Sequence, residues 1–116
     1  MKKVIAVLDE NIKIHYITDE RIVFTDESYI YCEHQADCCE NNYADFSSIM
    51  DSIIDGQELN TIEIEYNDNG FLLNGQLVNC YSEQNGYYST GLDVYYKDQY
   101  DRVILFLETN CGDIDD

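Results

Sequence analysis

The segment Leu59 to Tyr66 alternates Ile62, Ile64 and Tyr66 against Thr61, Glu63 and Glu65, and this two-residue period constrains the fold more than any other stretch of the chain. Successive side chains of an extended strand point to opposite faces, so the pattern describes a strand with one face in a core and one in water. Eleven Tyr and four Phe, with no Pro and no Trp, extend the argument to the whole sequence, because aromatic and β-branched side chains pack well across neighbouring strands. The 116 residues suffice for one small domain, read as residues 1–116.

Other strands follow from the same pattern. Lys3 to Leu8 and Asn11 to Ile17 read as a hairpin around an Asp9-Glu10 corner. Arg21 to Phe24 and Tyr29 to Cys32 read as a second hairpin, with Thr25-Asp26-Glu27-Ser28 as its turn. Asp68-Asn69-Gly70 and Asn74-Gly75 are turn signals. Leu77 to Ser82, Tyr87 to Tyr96 and Arg102 to Thr109 complete the sheet, and the apolar run Val103 to Leu107 is expected to be a central strand.

One segment has a different period. Tyr43, Phe46, Ile49, Met50, Ile53 and Ile54 recur at separations of three and four, opposite Asp45, Ser48, Asp51, Ser52 and Asp55. That spacing predicts one amphipathic helix, capped by Asn42 and ended by Gly56. The expected fold class is therefore α+β: one curved, mainly antiparallel β-sheet, open or closed into a barrel, with a single amphipathic helix.

Charge bounds the partners. Twenty-four Asp and Glu against six Lys and Arg give a net charge of -18, while 45% apolar residues exclude a disordered acidic tail. Such a surface repels nucleic acid and anionic membrane and attracts cations and basic proteins. The five apolar residues Val4 to Leu8 are too few for a signal peptide or a membrane span, so a cytoplasmic location is expected.

The chemistry-bearing residues are few. Cys32, His34, Cys38 and Cys39 are zinc-type donors, but adjacent thiolates at 38 and 39 lack the spacing that lets a chain curl around the ion, so no metal and no cofactor is expected. Five cysteines, an odd number with an adjacent pair, argue for reduced thiols rather than a disulfide framework. His34 could serve Cys38 or Cys39 as a base, yet Glu33, Asp37 and Glu40 would raise the thiol pKa, and no enzyme is expected. No calcium loop or phosphate-binding glycine loop is present in the sequence.

Asp37-Cys38-Cys39-Glu40 and the later Asn85-Gly86-Tyr87-Tyr88-Ser89 resemble the two signature segments of a family of small proteins of bacteriophages, prophages and their bacterial hosts. The resemblance implies a mobile-element origin and carries no activity with it. From the residues themselves, Asn85-Gly86 is a tight turn, and Tyr87 and Tyr88 lie on opposite faces of the strand it opens, one in the core and one exposed or interfacial.

The functional expectation is a small acidic protein that binds a basic host protein and inhibits or regulates it, with nucleic-acid mimicry as one mode. Glu63 and Glu65 would project from one strand face about 6.6 Å apart, similar to the spacing of successive phosphates. Asp26, Glu27, Asp51 and Asp55, with Asp9, Glu10, Asp19 and Glu20, would extend that field, and Tyr87 and Tyr88 would join the contact. A structural or accessory protein, or a small zinc module, is the alternative.

Overall fold

A computed structural model describes residues 2–34, 41–83 and 90–113. These residues form eleven strands in two sheets packed face to face: β1 Lys3–Ile12, β2 Ile14–Ile17, β3 Arg21–Phe24, β4 Tyr29–Glu33, β5 Asn41–Asp45, β6 Leu59–Asn67, β7 Gly70–Leu73, β8 Gln76–Glu83, β9 Gly91–Lys97, β10 Val103–Asn110 and β11 Gly112–Asp113. The six-stranded sheet runs β1-β6-β7-β8-β11, with β5 also on β8, and the five-stranded sheet runs β10-β9-β4-β3-β2. Every pair is antiparallel except β11 with β8.

The architecture is an all-β sandwich, which corrects the expected α+β class and its helix. Residues 41–45 take a ladder partner instead, with Asn42 opposite Ser82 and Ala44 opposite Cys80. A single 3-10 turn, Phe46–Ile49, follows, and the chain then repeats bonds over three residues, from Met50 N–H to Ser47 O, Ser52 to Ile49, Asp55 to Ser52 and Gln57 to Ile54. Serine and aspartate cause this locally. The Asp45 carboxylate accepts the Ser47 N–H at 3.2 Å, and the Ser48 and Ser52 hydroxyls donate to the carbonyls of Asp45 and Ile49, each at 2.6 Å. Such bonds compete with a continuous helix. Met50 is extended, and Asp51 and Gly56 sit at φ +63° and +98°, outside helical geometry. A period near three survives in the turns, so Phe46, Ile49 and Ile54 are buried while Ile53 is 83% exposed.

The first expected hairpin is also corrected. β1 continues through Asp9 and Glu10, with an irregular register to β6 between Val7 and Ile12, and the chain passes to the other sheet at Lys13. Neither Asp9 nor Glu10 supplies the positive-φ residue a tight hairpin requires. The second hairpin forms as expected, with Ile22 opposite Ile30. So do the two turns after β6. Asn74 and Gly75 both take left-handed φ, +48° and +84°, as a two-residue β-hairpin demands. Gly70 is confined more tightly: a Cβ there would lie 2.1 Å from the Val78 carbonyl oxygen.

The inner faces share one core. Ile62, Ile64, Phe71, Leu73 and Val78 from the six-stranded sheet meet Ile22, Phe24, Ile30, Val94 and Tyr96 from the five-stranded sheet. Tyr96 is buried because its hydroxyl has a partner, donating to the Ser28 hydroxyl at 3.0 Å.

β10 is an end strand, not the central one its apolar run predicts. Leu105 and Leu107 face the core, and the alternate residues Ile104 and Phe106 are 45% and 41% exposed. Phe106 is sheltered by the Tyr95 ring, 5.1 Å away, rather than by a further strand. Among the described residues, no helix is long and apolar enough to cross a membrane.

Candidate functional site

Alternation along β4, β9 and β10 sends Ile30, Cys32, Leu92, Val94, Tyr96 and Leu107 toward the core. It therefore leaves Tyr29, Tyr31 and Glu33, Asp93, Tyr95 and Lys97, and Phe106 and Glu108 on the outer face. The registers align these residues into rows across the strands. Phe106 lies opposite Tyr95, Tyr95 opposite Tyr31 and Tyr31 opposite Arg21, while two residues along Glu108 lies opposite Asp93 and Asp93 opposite Glu33.

The first row is aromatic. Tyr31 and Tyr95 stack with centroids 5.1 Å apart and planes 16° apart, and Tyr95 meets Phe106 at 5.1 Å. The cations of this face are already engaged by rings: the Arg21 guanidinium lies 4.5 Å from the Tyr29 centroid and the Lys97 ammonium 4.8 Å from that of Tyr31. The Tyr29 hydroxyl donates to Asp101 at 2.5 Å, across the sheet end. Burial, followed by that bond, raises the Tyr29 pKa.

The second row is three carboxylates on neighbouring strands, a placement that cross-strand repulsion disfavours. Burial pushes the Asp93 carboxyl above its ordinary value, and the Glu108 and Glu33 charges push it further against the opposing effect of His34. Among the described residues, ion pairs to Lys or Arg join Lys3 to Glu63 and Glu65 and Arg102 to Asp98, and none reaches Glu33, Asp93 or Glu108. Glu33 accepts a hydrogen bond from the Tyr31 hydroxyl at 3.2 Å, which links the two rows. The carboxylates border a depression of about 310 Å³ shared with His34, Leu92 and Thr109.

The acids expected to form the interface are distributed differently. Glu63 and Glu65 do share the outer face of β6, but the Lys3 ammonium lies 3.2 Å from one and 3.9 Å from the other, and both are about two-thirds or more buried. Two carboxylates that share one ammonium, half of their charge offset, are a poor copy of successive phosphates. Asp26 and Glu27 form the β3–β4 turn, where Asp26 accepts the Ser28 N–H at 3.0 Å and Glu27 takes φ +69°. Asp51 and Asp55 are neighbours in the turns after Ile49, the Asp55 carboxylate accepting the Asp51 N–H at 3.2 Å. Asp9, Glu10 and Asp26 come together with Asp98 around another depression, at the end of the sandwich. Tyr87 and Tyr88 lie outside the described residues, as do Cys38 and Cys39.

The weighed metal donors Cys32 and His34 diverge. Cys32 points inward, where burial and the neighbouring Cys111 hold its thiol protonated, whereas His34 lies against Asn42. Cys80 is fully buried, and its thiol donates to the Val78 carbonyl at 3.9 Å. Among the described residues, no group of His, Cys, Asp and Glu is arranged to hold a metal ion. What the face offers is non-covalent: rings for apolar and cationic groups, and carboxylates for Lys or Arg. The alternations Tyr29-Tyr31-Glu33 and Asp93-Tyr95-Lys97 are visible in the sequence as signals of this face, but their adjacency depends on strand order.

No protein-family model matches the chain, and searches of curated proteins and of solved structures find no match. The segments that resemble the phage and prophage family, residues 37–40 and 85–89, lie outside the described residues.

Proposed function

We propose that this protein is a binding module for a cationic segment of another protein, acting by occupying that segment rather than by chemistry. The observation that carries this reading is the row Glu33–Asp93–Glu108, aligned in register beside Tyr31, Tyr95 and Phe106 and, among the described residues, without an ion pair to Lys or Arg. Like charges directly opposite destabilise the isolated sheet, and a partner's lysines or arginines would relieve that cost. Tyrosine-rich faces supply large contact area with little side-chain entropy to lose, and aromatic rings beside carboxylates bind guanidinium by charge and by face. A basic surface that ordinarily holds a phosphate backbone is one such target, and its occupation would inhibit or regulate its owner. The resemblance to phage and prophage proteins is compatible with a target in the bacterial host.

The test is titration with an oligoarginine peptide at low and high salt. The wild-type protein should bind and weaken as salt rises, because exposed charge pairs beyond the screening length contribute little. Replacing Glu33, Asp93 and Glu108 by Gln, Asn and Gln should reduce affinity about tenfold, a fair sum for three surface charge contacts. Affinity unchanged by that triple substitution contradicts the proposal. Competition by duplex DNA for a basic protein held on this face separates occupation of a phosphate-binding surface from other cationic contacts.

A further inference from the structure

The two edges of the five-stranded sheet are treated differently. β2 has four residues, carries His15 and loses register between Ile14 and Tyr16, features that hinder the addition of another strand. β10 has eight residues with neither Lys nor Pro, and leaves Val103, Ile104 and Phe106 exposed by 52%, 45% and 41%. Its irregularity lies at its start, between Val103 and Leu105, and from Leu105 to Asn110 its ladder with β9 is regular. Among the described residues β9 pairs with one side of β10 and no strand pairs with the other. The end of the strand is anchored: the Thr109 hydroxyl donates to the Gly70 carbonyl and the Asn110 amide to the Asp68 carbonyl. A regular and fixed edge that no described strand pairs with is a template for an added strand.

We infer that the free edge of β10 receives an extended segment of the cationic partner as a sixth strand of this sheet. This rests on the cationic partner proposed above and adds its backbone conformation and the order of its side chains. A residue opposite Phe106 would continue the aromatic row, so an apolar or aromatic side chain fits there; a residue opposite Glu108 would continue the carboxylate row, so Lys or Arg fits there. Phe106 and Glu108 are two residues apart on one face, so the recognised element is an apolar and a cationic residue separated by one position, on a strand antiparallel to β10 as every other pair in this sheet is. Charge selects this occupant over a second copy, because two copies each carry -18 and pairing β10 with itself would gather more carboxylates at the seam. Beside the same edge, Val7, Leu8 and Ile104 line a depression of about 360 Å³ that Asp9, Glu10 and Asp98 also border. That surface too favours an apolar stem with a cationic end.

The probe is a short synthetic peptide with Phe and Lys alternating on one strand face and Thr at every other position. Two N-methylated forms accompany it, one methylated on the Thr amides and the other on the Phe and Lys amides. Alternate amides of a strand point to opposite edges, so docking on one edge tolerates one form and rejects the other by about tenfold or more. The parent peptide should also protect β10 amides from hydrogen exchange, and Ile104→Lys, at an exposed position, should weaken it by about tenfold through charge at the edge. If all three peptides bind alike and Ile104→Lys has no effect, the cationic partner stands and strand addition is overturned. If neither these peptides nor oligoarginine binds at low salt, both the strand addition and the cationic partner are overturned.

Discussion

On the six-stranded sheet Glu63 and Glu65 converge on Lys3, whereas on the five-stranded sheet Glu33, Asp93 and Glu108 face one another with the nearby Arg21 and Lys97 committed to tyrosine rings. Both faces are acidic and strand-borne, and the difference is where the few cations went. With six basic residues against twenty-four acidic ones, most carboxylates must go without an ion pair, so charge alone identifies no surface. Carboxylates set in register, one of them with a raised pKa, identify a surface that a cationic partner would stabilise.

The largest expected effect removes both faces together. Gly70→Ala would force a Cβ to within 2.1 Å of the Val78 carbonyl, break the β7–β8 ladder and loosen the end of β10 that is tied to Gly70. We expect a loss of about 3 kcal/mol of stability and a much lower melting temperature. Gly75→Ala, where nothing lies within 4 Å, should cost less because only its positive φ is strained. Equal melting of the two variants would show that the β6–β7–β8 turns do not position the strands as described.

A sharper test exchanges the characters of the faces. Lys3→Ala leaves Glu63 and Glu65 without their common cation and should create weak oligoarginine binding on the six-stranded sheet, while changing stability by about 1 kcal/mol, as loss of a partly exposed pair does. Oligoarginine contacts that remain confined to the five-stranded sheet in this variant would mean that the aromatic row, not free carboxylate, selects the face.

The smallest effect is in pH. Asp93 is raised above its ordinary 3.8, so the folded state binds its proton more readily than the unfolded chain. Its charge therefore destabilises the fold at neutral pH, and this penalty fades as pH falls through the raised pKa and is gone below about 3.8. Asp93→Asn should melt a little higher than wild type at pH 7, by a few tenths of a kcal/mol, with the advantage vanishing in acid. A variant less stable than wild type at pH 7 would show that the row does not repel itself.

The sequence made the individual strands readable where alternation was strict, as in β6, or where a glycine turn fixed a hairpin, as at Asn74-Gly75. It misled where a period had two physical origins. Repeated turns over three residues bury Phe46, Ile49 and Ile54 but leave exposed Met50 and Ile53, which a helix would bury beside them, and the deciding bonds come from Asp45, Ser48 and Ser52. Val103 to Leu107 reads as central because its outer residues are apolar, although Phe106 is 41% exposed and meets a tyrosine ring, not another strand. The candidate face was the least legible. Glu33, Asp93 and Glu108 come from three segments, and their meeting depends on β9 lying between β4 and β10, a strand order that no local pattern encodes.

The most direct measurement is chemical-shift mapping of the wild-type protein titrated with oligoarginine at low salt. Perturbations are expected to centre on Glu33, Asp93 and Glu108 and on the neighbouring rings of Tyr31, Tyr95 and Phe106, with Glu63 and Glu65 little changed. Perturbations centred on Glu63 and Glu65, or spread evenly over the carboxylates of both sheets, would contradict the proposal.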